Sequence, residues 1–507
     1  GPHRRDAAPI APLAPEYLRR YLMRMRLNKI VFSAAFAMFG ADLFAQVIPA
    51  LPYQKQLDLL VTDSSYDGVW RCIDWNQDGD FNDALEVVSF YSETIGSITL
   101  GNPNCIGMAP DGTAYVGDST TDIIMSLRDV NGDGDANDPG EHFVFFNNAN
   151  AAGIALASLQ SLHVDKLGRV FLAIANSGST GVDMIVRLED SNGDGDALDP
   201  GEAVDYHTVP GGNTGTGSSI PAELAAGPDL NLYYADNGIN GPITKGIYKL
   251  ADNNFDGDCN DAGERTLFWD LSVLGSATSG PFCYGMAITA DGRFYVCDHS
   301  SNETLWTARD DNGDGSIDSS EVSVYYQTGA STWWDVVIRE DGALLLCEDQ
   351  TPDRLVVLTD LNQDGDALDA GEAVEVYRDT VAANGSVRPR GATWMRGPEL
   401  EASPASAPTG TATSFVATTT RAGDLVAIFL STGLAPPVSL APYGTVDVDV
   451  ASLSALGFGV SNVDRVLSLP LNIPISPAVV GTYAAQAWSG NPFRQFLSNG
   501  TTITVTL

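Results

Sequence analysis

Basic residues are scarce in this chain of 507 residues, where 27 lysines and arginines face 65 aspartates and glutamates for a formal charge of -38. The shortage argues against nucleic acid or an anionic membrane as a partner and makes divalent cations the natural counter-charge. Histidine is rarer still, with 5 in the whole chain. Motifs of catalytic chemistry are lacking: there is no H-E-x-x-H, no G-x-S-x-G and no C-x-x-C, and GGNTGTGSS from Gly211 has no lysine for a phosphate loop. Six cysteines (Cys72, Cys105, Cys259, Cys283, Cys297 and Cys347) allow disulfides in an oxidising compartment and equally allow buried free thiols. A hydrophobic content of 44% is ample for packed cores, so the acidity belongs to a globular protein.

An apolar run long enough to anchor the chain is missing as well. From Met23 the sequence reads MRMRLNKIVFSAAFAMFGADLFAQ, with Arg24, Arg26 and Lys29 ahead of apolar residues and small residues near Ala45. That is the layout of a secretory signal peptide, and the run from Ile30 to Ala41, ended by Asp42, is shorter than the roughly 20 residues of a membrane span. The expected organisation is an upstream extension over 1–22, a signal peptide over 23–46 and export to the outside or the cell surface. Loss of the first 45 residues leaves 20 basic against 62 acidic groups.

What the chain has in abundance is one repeated pattern. It appears six times, beginning at Asp74, Asp129, Asp190, Asp252, Asp310 and Asp360, at intervals of 55, 61, 62, 58 and 50 residues. A period of this size marks a propeller or solenoid, in which one repeat cannot bury its own faces. Around each acidic loop lie four short strand-like runs, as in CIGMA, TAYVGD, DIIMSLRD and HFVFF of the second repeat, with Asp-Gly turns as hairpin signals. Four strands per unit is the composition of a propeller blade.

The ends of the array predict closure. The first repeat opens at Leu57 with LDLLVTD, the equivalent of a second strand, while RGATWM at 390–395 resembles a first strand with no blade of its own. The leftover strand completes blade one and removes an open sheet edge. The fold class is therefore all-β: a six-bladed β-propeller over 47–397, then a Pro-rich linker over 398–408 and a small C-terminal β-sandwich over 409–507. The last region consists of alternating, β-branched stretches such as TSFVATTT, TVDVDV and TTITVTL.

The carboxylate spacing within the repeat has a chemical reason, because Ca2+ takes roughly six to eight oxygens and a tight turn lets one short segment supply most of them. In blade five Asp310, Asn312, Asp314, Ser316, Asp318 and Glu321 occupy positions one, three, five, seven, nine and twelve, with Gly315 at the sharp turn. The other loops carry one more residue, so that the last glutamate falls at thirteen and the preceding aspartate at ten. Their candidate ligands are Asp74, Asn76, Asp78, Asp80, Asp83 and Glu86 in blade one, and Asp129, Asn131, Asp133, Asp135, Asp138 and Glu141 in blade two. Blade three offers Asp190, Asn192, Asp194, Asp196, Asp199 and Glu202, and blade four Asp252, Asn254, Asp256, Asp258, Asp261 and Glu264. Blade six offers Asp360, Asn362, Asp364, Asp366, Asp369 and Glu372. Whether the position-seven residues Asp80, Asp135, Asp196, Asp258 and Asp366 bind by side chain or by backbone stays open at this stage. The expectation is about six calcium ions per chain, one for each loop.

These loops resemble those of EF-hands, dockerins and thrombospondin type 3 repeats over about thirteen residues each. The flanks are strand-like rather than helical, so the resemblance implies calcium binding without a helix-opening switch. The blade pattern is similar to NHL-type and gluconolactonase-type propellers, some of which hold a catalytic metal in the central channel, and the repeats resemble those of secreted, multi-calcium bacterial propeller proteins. Aligning first strands on the turn groups Gln160, Glu223, Tyr284, Trp334 and Arg390 as candidate ligand-binding residues near one channel mouth, with Glu223 and Arg390 across the axis. His163 and His299 are further candidates. No catalytic residue is assigned. The function expected is an extracellular calcium-binding scaffold or adhesion protein, self-assembling or bound to a protein or glycan, and the alternative is a metal-dependent hydrolase, lactonase or lyase working in the channel.

Overall fold

The computed structural model describes most of residues 58–395 and the strands between 399 and 506. Residues 1–57, which hold the expected extension and signal peptide, lie outside the described residues. So do 75–77, 131–132, 176–181, 211–218, 239–244, 275–281, 300–302, 329–331, 380–386 and shorter loop pieces, and with them Asn76 and Asn131.

Twenty-four strands of five or six residues form six antiparallel four-stranded sheets. Five blades use consecutive strands in the order inner, second, third, outer. Blade one takes its inner strand from the far end of the array: Pro389–Trp394 pairs with Leu59–Asp63, matching Leu59 with Trp394 and Val61 with Ala392. The six inner strands contact one another in a closed ring around the axis. The leftover strand expected to close blade one does so. Among the described residues no helix is long and apolar enough to cross a membrane.

The hydrophobic cores lie between blades rather than within them. One buried cluster joins blades six and one through Leu59, Phe81, Leu345 and Val376, and five others fill the remaining junctions around the ring. Each sheet is apolar on both faces, and each face is covered only by a neighbour, which makes the ring cooperative. All six cysteines are free and buried, so they serve these interfaces as small apolar groups.

Five second strands end in a carboxylate that is at most 2% exposed: Asp63, Asp118, Asp236, Asp298 and Glu348. Such burial is tolerable because the carboxylates accept hydrogen bonds from the loops around them. Asp118 takes backbone N–H groups of Gly101, Asn102, Thr120 and Thr121 at 2.7–2.9 Å.

Beyond the propeller, Glu399–Ser403, Ala412–Thr418 and Val466–Asn472 form a three-stranded sheet. A five-stranded sheet holds Ser406–Pro408, Gln495–Thr506, Gly481–Gly490, Leu425–Ser431 and Ser454–Val460. Phe415 and Ala417 of the first sheet share a buried cluster with Val426, Ile428, Ala485 and Val505 of the second. The segment expected as a linker thus supplies two short strands. ELEAS alternates as a strand does, and Pro408 stands at the end of the second strand, where a missing N–H is tolerated.

Two glycines fix how closely the inner strands approach. A Cβ on Gly285 of blade five would lie 2.8 Å from Asp335 Cα of blade six, and one on Gly391 of blade one 3.0 Å from Cys105 Cα of blade two. Both obstacles are backbone and cannot rotate away. Gly285→Ala is expected to cost about 1–3 kcal/mol, read as a lower midpoint in denaturant-induced unfolding.

Candidate metal loops and axial cavity

Every acidic loop connects the third strand of a blade to its outer strand. At position six a glycine takes φ between +87° and +108° (Gly79, Gly134, Gly195, Gly257, Gly315 and Gly365), a region open to glycine at little cost. Its N–H donates to the first aspartate of the loop at 2.9–3.0 Å in all six cases. The terminal glutamate spans the loop. In blade three Glu202 Oε1 accepts from Ser191 N and Oε2 from Asp199 N, and Glu141, Glu264, Glu321 and Glu372 repeat the arrangement. In blade one Glu86 Oε2 accepts from Asp83 N.

The extra residue of the longer loops has a backbone reason. Before the glutamate, Gly140, Gly201, Gly263 and Gly371 stand at φ +94° to +98°, whereas blade five reaches its glutamate through one turn of 3-10 helix, Ser319–Glu321. Blade one places Leu85 there at φ +72°, with its side chain 75% exposed.

The carboxylates converge inside the loops. Asp133, Asp135 and Glu141 bring one oxygen each within 4.8 Å of one another, as do Asp194, Asp196 and Glu202. These are positions five, seven and thirteen, so in blades two and three the position-seven side chain faces the same point as its neighbours. Asn192 Nδ2 donates to both Asp194 and Asp199, and Asn254 and Asn362 do the same in their loops, which turns the aspartate at ten inward too. The donor set is oxygen alone, suited to a hard cation such as Ca2+.

The loops also do something their spacing does not reveal. Position eight is buried in all six (Phe81, Ala136, Ala197, Cys259, Ile317 and Ala367), and its backbone N–H donates to a carbonyl of the preceding blade at 2.7–2.8 Å. The acceptors are Val376, Phe90, Phe145, Tyr206, Phe268 and Tyr325, always the fourth residue of an outer strand. In each blade that residue is the bulged one, skipped in the pairing with the third strand. A bulge leaves its residue out of the ladder, and the next blade uses the freed carbonyl. Asn82, Asn137 and Asn260 add a second inter-blade bond by accepting from Arg378 N, Ser92 N and Thr208 N. Arg71 and Arg187 reach across to the carbonyls of Gly134 and Gly257.

At the axis, a cavity of about 510 Å³ is lined by Gln160, Glu223, Tyr284, Trp334 and Arg390, all five of the candidate ligand-binding residues. They do not occupy one level. Each inner strand carries a bulge near its start, and the register makes Asn104, Gln160, Ala222, Tyr284, Trp334 and Arg390 equivalent. Glu223 stands one residue further on, in a ring with Cys105, Ser161, Gly285, Asp335 and Gly391. The sequence alignment missed that step because the bulge lets two successive residues line the axis, where alternation allows one.

Arg390 pairs with Asp349 at 3.0 Å, lies over the Trp334 ring at 3.7 Å and donates to Ser64. Trp334, Tyr284 and His299 form a mutual cluster with centroids 4.8–5.1 Å apart. Glu223 instead accepts from Ser161 Oγ at 2.6 Å and feels Asp335, a cavity residue that sequence reading overlooked. Burial pushes the Asp335 carboxyl up to about 7, and burial together with the charge of Asp335 raises Glu223 well above the usual carboxylate range. Burial lowers His163, also in the lining, to about 4.

Two outcomes follow. Leu85→Gly relieves a left-handed residue and is expected to stabilise the protein by about 1 kcal/mol, read as a higher melting temperature. For Asp335 the folded-state value is raised, so its carboxyl takes nothing from stability below the unfolded value and takes progressively more as pH climbs towards about 7. Asp335→Asn is therefore expected to stabilise the protein by about 1 kcal/mol or more at pH 8 and by little at pH 4.

No family model matches the sequence, and no curated protein does. Among solved structures, virginiamycin B lyase from Staphylococcus aureus is similar at 14% identity, covering 79% of this chain and 94% of its own, with a TM-score of 0.34. A candidate gluconolactonase is similar at 14% identity over 60% of this chain and 80% of its own, TM-score 0.35. PorZ, a surface component of the type IX secretion system of Porphyromonas gingivalis, is similar at 12% identity over 87% of this chain and 56% of its own, TM-score 0.34. At these scores no activity, ligand or partner carries over to this chain.

Proposed function

We propose that this protein is an extracellular calcium-binding scaffold of bacterial type, in which about six Ca2+ ions, one per acidic loop, fasten neighbouring blades together. The observation that carries the reading is the position-eight hydrogen bond, repeated at all six junctions. A loop stiffened by a cation holds its position-eight N–H against the preceding blade, so metal bound within one loop acts on the junction between two blades. Thirty of the 65 acidic residues sit in these loops, and their mutual repulsion opposes the compact ring unless cations offset it. The partner of such a scaffold is a protein, a glycan or a second copy outside the cell.

Elemental analysis together with thermal melts tests this directly. Each ion that binds only the folded state, at a hundredfold its Kd, adds about 2.7 kcal/mol. EDTA is therefore expected to lower the melting temperature by at least about 10 °C, and the protein to carry about six calcium ions. One ion or none, with an unchanged melt, would reduce the loops to solvated turns.

A further inference from the structure

The axial cavity is the second concentration of chemistry, and the calcium reading does not use it. Its ring of equivalent residues places Glu223 on blade four and Asp335 on blade six, with Gly285 of blade five offering no side chain between them. The carboxyls are partly accessible and line the cavity, while lying deep enough that burial is the main influence on both. Their hydrogen-bond donors are neutral: Ser161 Oγ and Leu224 N for Glu223, Ala392 N and the Val336 backbone for Asp335. The arginine of the lining, Arg390, is committed to Asp349 and to the Trp334 face. Charge on the pair thus finds hydrogen bonds but no counter-cation among the described lining residues, and an aromatic wall of Tyr284 and Trp334 borders the same space.

We propose that this cavity binds a small organic cation carrying a primary ammonium group, seated between Glu223 and Asp335 beside the Tyr284 face. An ammonium brings three N–H donors to two carboxylates and gains from a nearby ring face once water is excluded. An anion meets the carboxyls and a neutral polyol leaves their charge uncompensated. A divalent ion seeking roughly six to eight oxygens is served less well, because the other members of the ring are a thiol, a hydroxyl and two glycines. Binding is coupled to a proton: the carboxyl that is protonated in the free protein releases H+ to solvent as the ammonium takes its place. Titratable groups near the pair are the Cys105, Cys283, Cys297 and Cys347 thiols, all pushed up by burial, with His163 and Arg390 on the same lining.

The full chain, held in millimolar Ca2+ to satisfy the loops, is titrated calorimetrically with a panel of primary amines and their isosteric alcohols. The amines are expected to bind while the alcohols do not, and the heat is expected to vary with the ionisation enthalpy of the buffer, as proton release requires. Asp335→Asn and Glu223→Gln each weaken amine binding at least tenfold, with unchanged calcium content and a melt showing that the ring is intact. Alcohols binding as well as amines, no amine binding, amine binding that survives both carboxyl variants, or a response to divalent metal alone would overturn the proposal. None of these outcomes bears on the calcium content of the loops.

Discussion

A single backbone hydrogen bond, from position eight of each acidic loop to the bulged carbonyl of the preceding outer strand, sets the terms for the rest of the molecule. Hydrophobic burial is spread over six inter-blade clusters, and apolar contact alone does not fix the angle between two sheets. The loop bond does so at the rim, while the inner strands do so at the axis. Antiparallel order places these constraints at opposite ends: acidic loops follow third strands, and the Trp334 and Arg390 cluster sits where inner strands begin. One end of the ring thus carries the acidic loops, and the other the aromatic cluster of Tyr284, Trp334 and His299 with the Arg390–Asp349 pair.

Charge is handled differently at the two ends. In the loops, carboxylates crowd together near solvent and satisfy themselves with backbone N–H groups, and three of their oxygens converge on a common centre in each of blades two and three. At the axis, two carboxyls share an enclosed space and burial holds them towards the neutral form. The same residue types are therefore suited to a hard cation at the rim and to proton exchange at the centre, and solvent access makes the difference.

Much of this was legible in the sequence because the repeat is long and its punctuation strong. The six Asp-x-Asn-x-Asp-Gly segments located the blades, and the unmatched RGATWM segment located the closing strand, since a ring of four-stranded units has one place for it. What escaped was set by irregularities that period-two reasoning does not see. The outer-strand bulge falls on an aromatic residue in five of the six blades, Phe90 among them, but aromatics are ordinary in strands and alternation gives no sign that a residue is skipped, so the inter-blade role of the loops appears only once the register is known. The inner-strand bulge moved Glu223 off the level of Tyr284 and kept Asp335 hidden behind Trp334. The strands Glu399–Ser403 and Ser406–Pro408 were masked by the prolines around them.

The measurement that bears most directly on this account is amide hydrogen exchange at the six position-eight residues with calcium and after its removal. If metal in the loops locks the blades together, the amides of Phe81, Ala136, Ala197, Cys259, Ile317 and Ala367 exchange slowly in calcium, and chelation speeds all six together. The inner strands should stay protected under the same conditions. Exchange at those six amides that is indifferent to calcium would contradict the account, because the loops would then hold their neighbours without any cation.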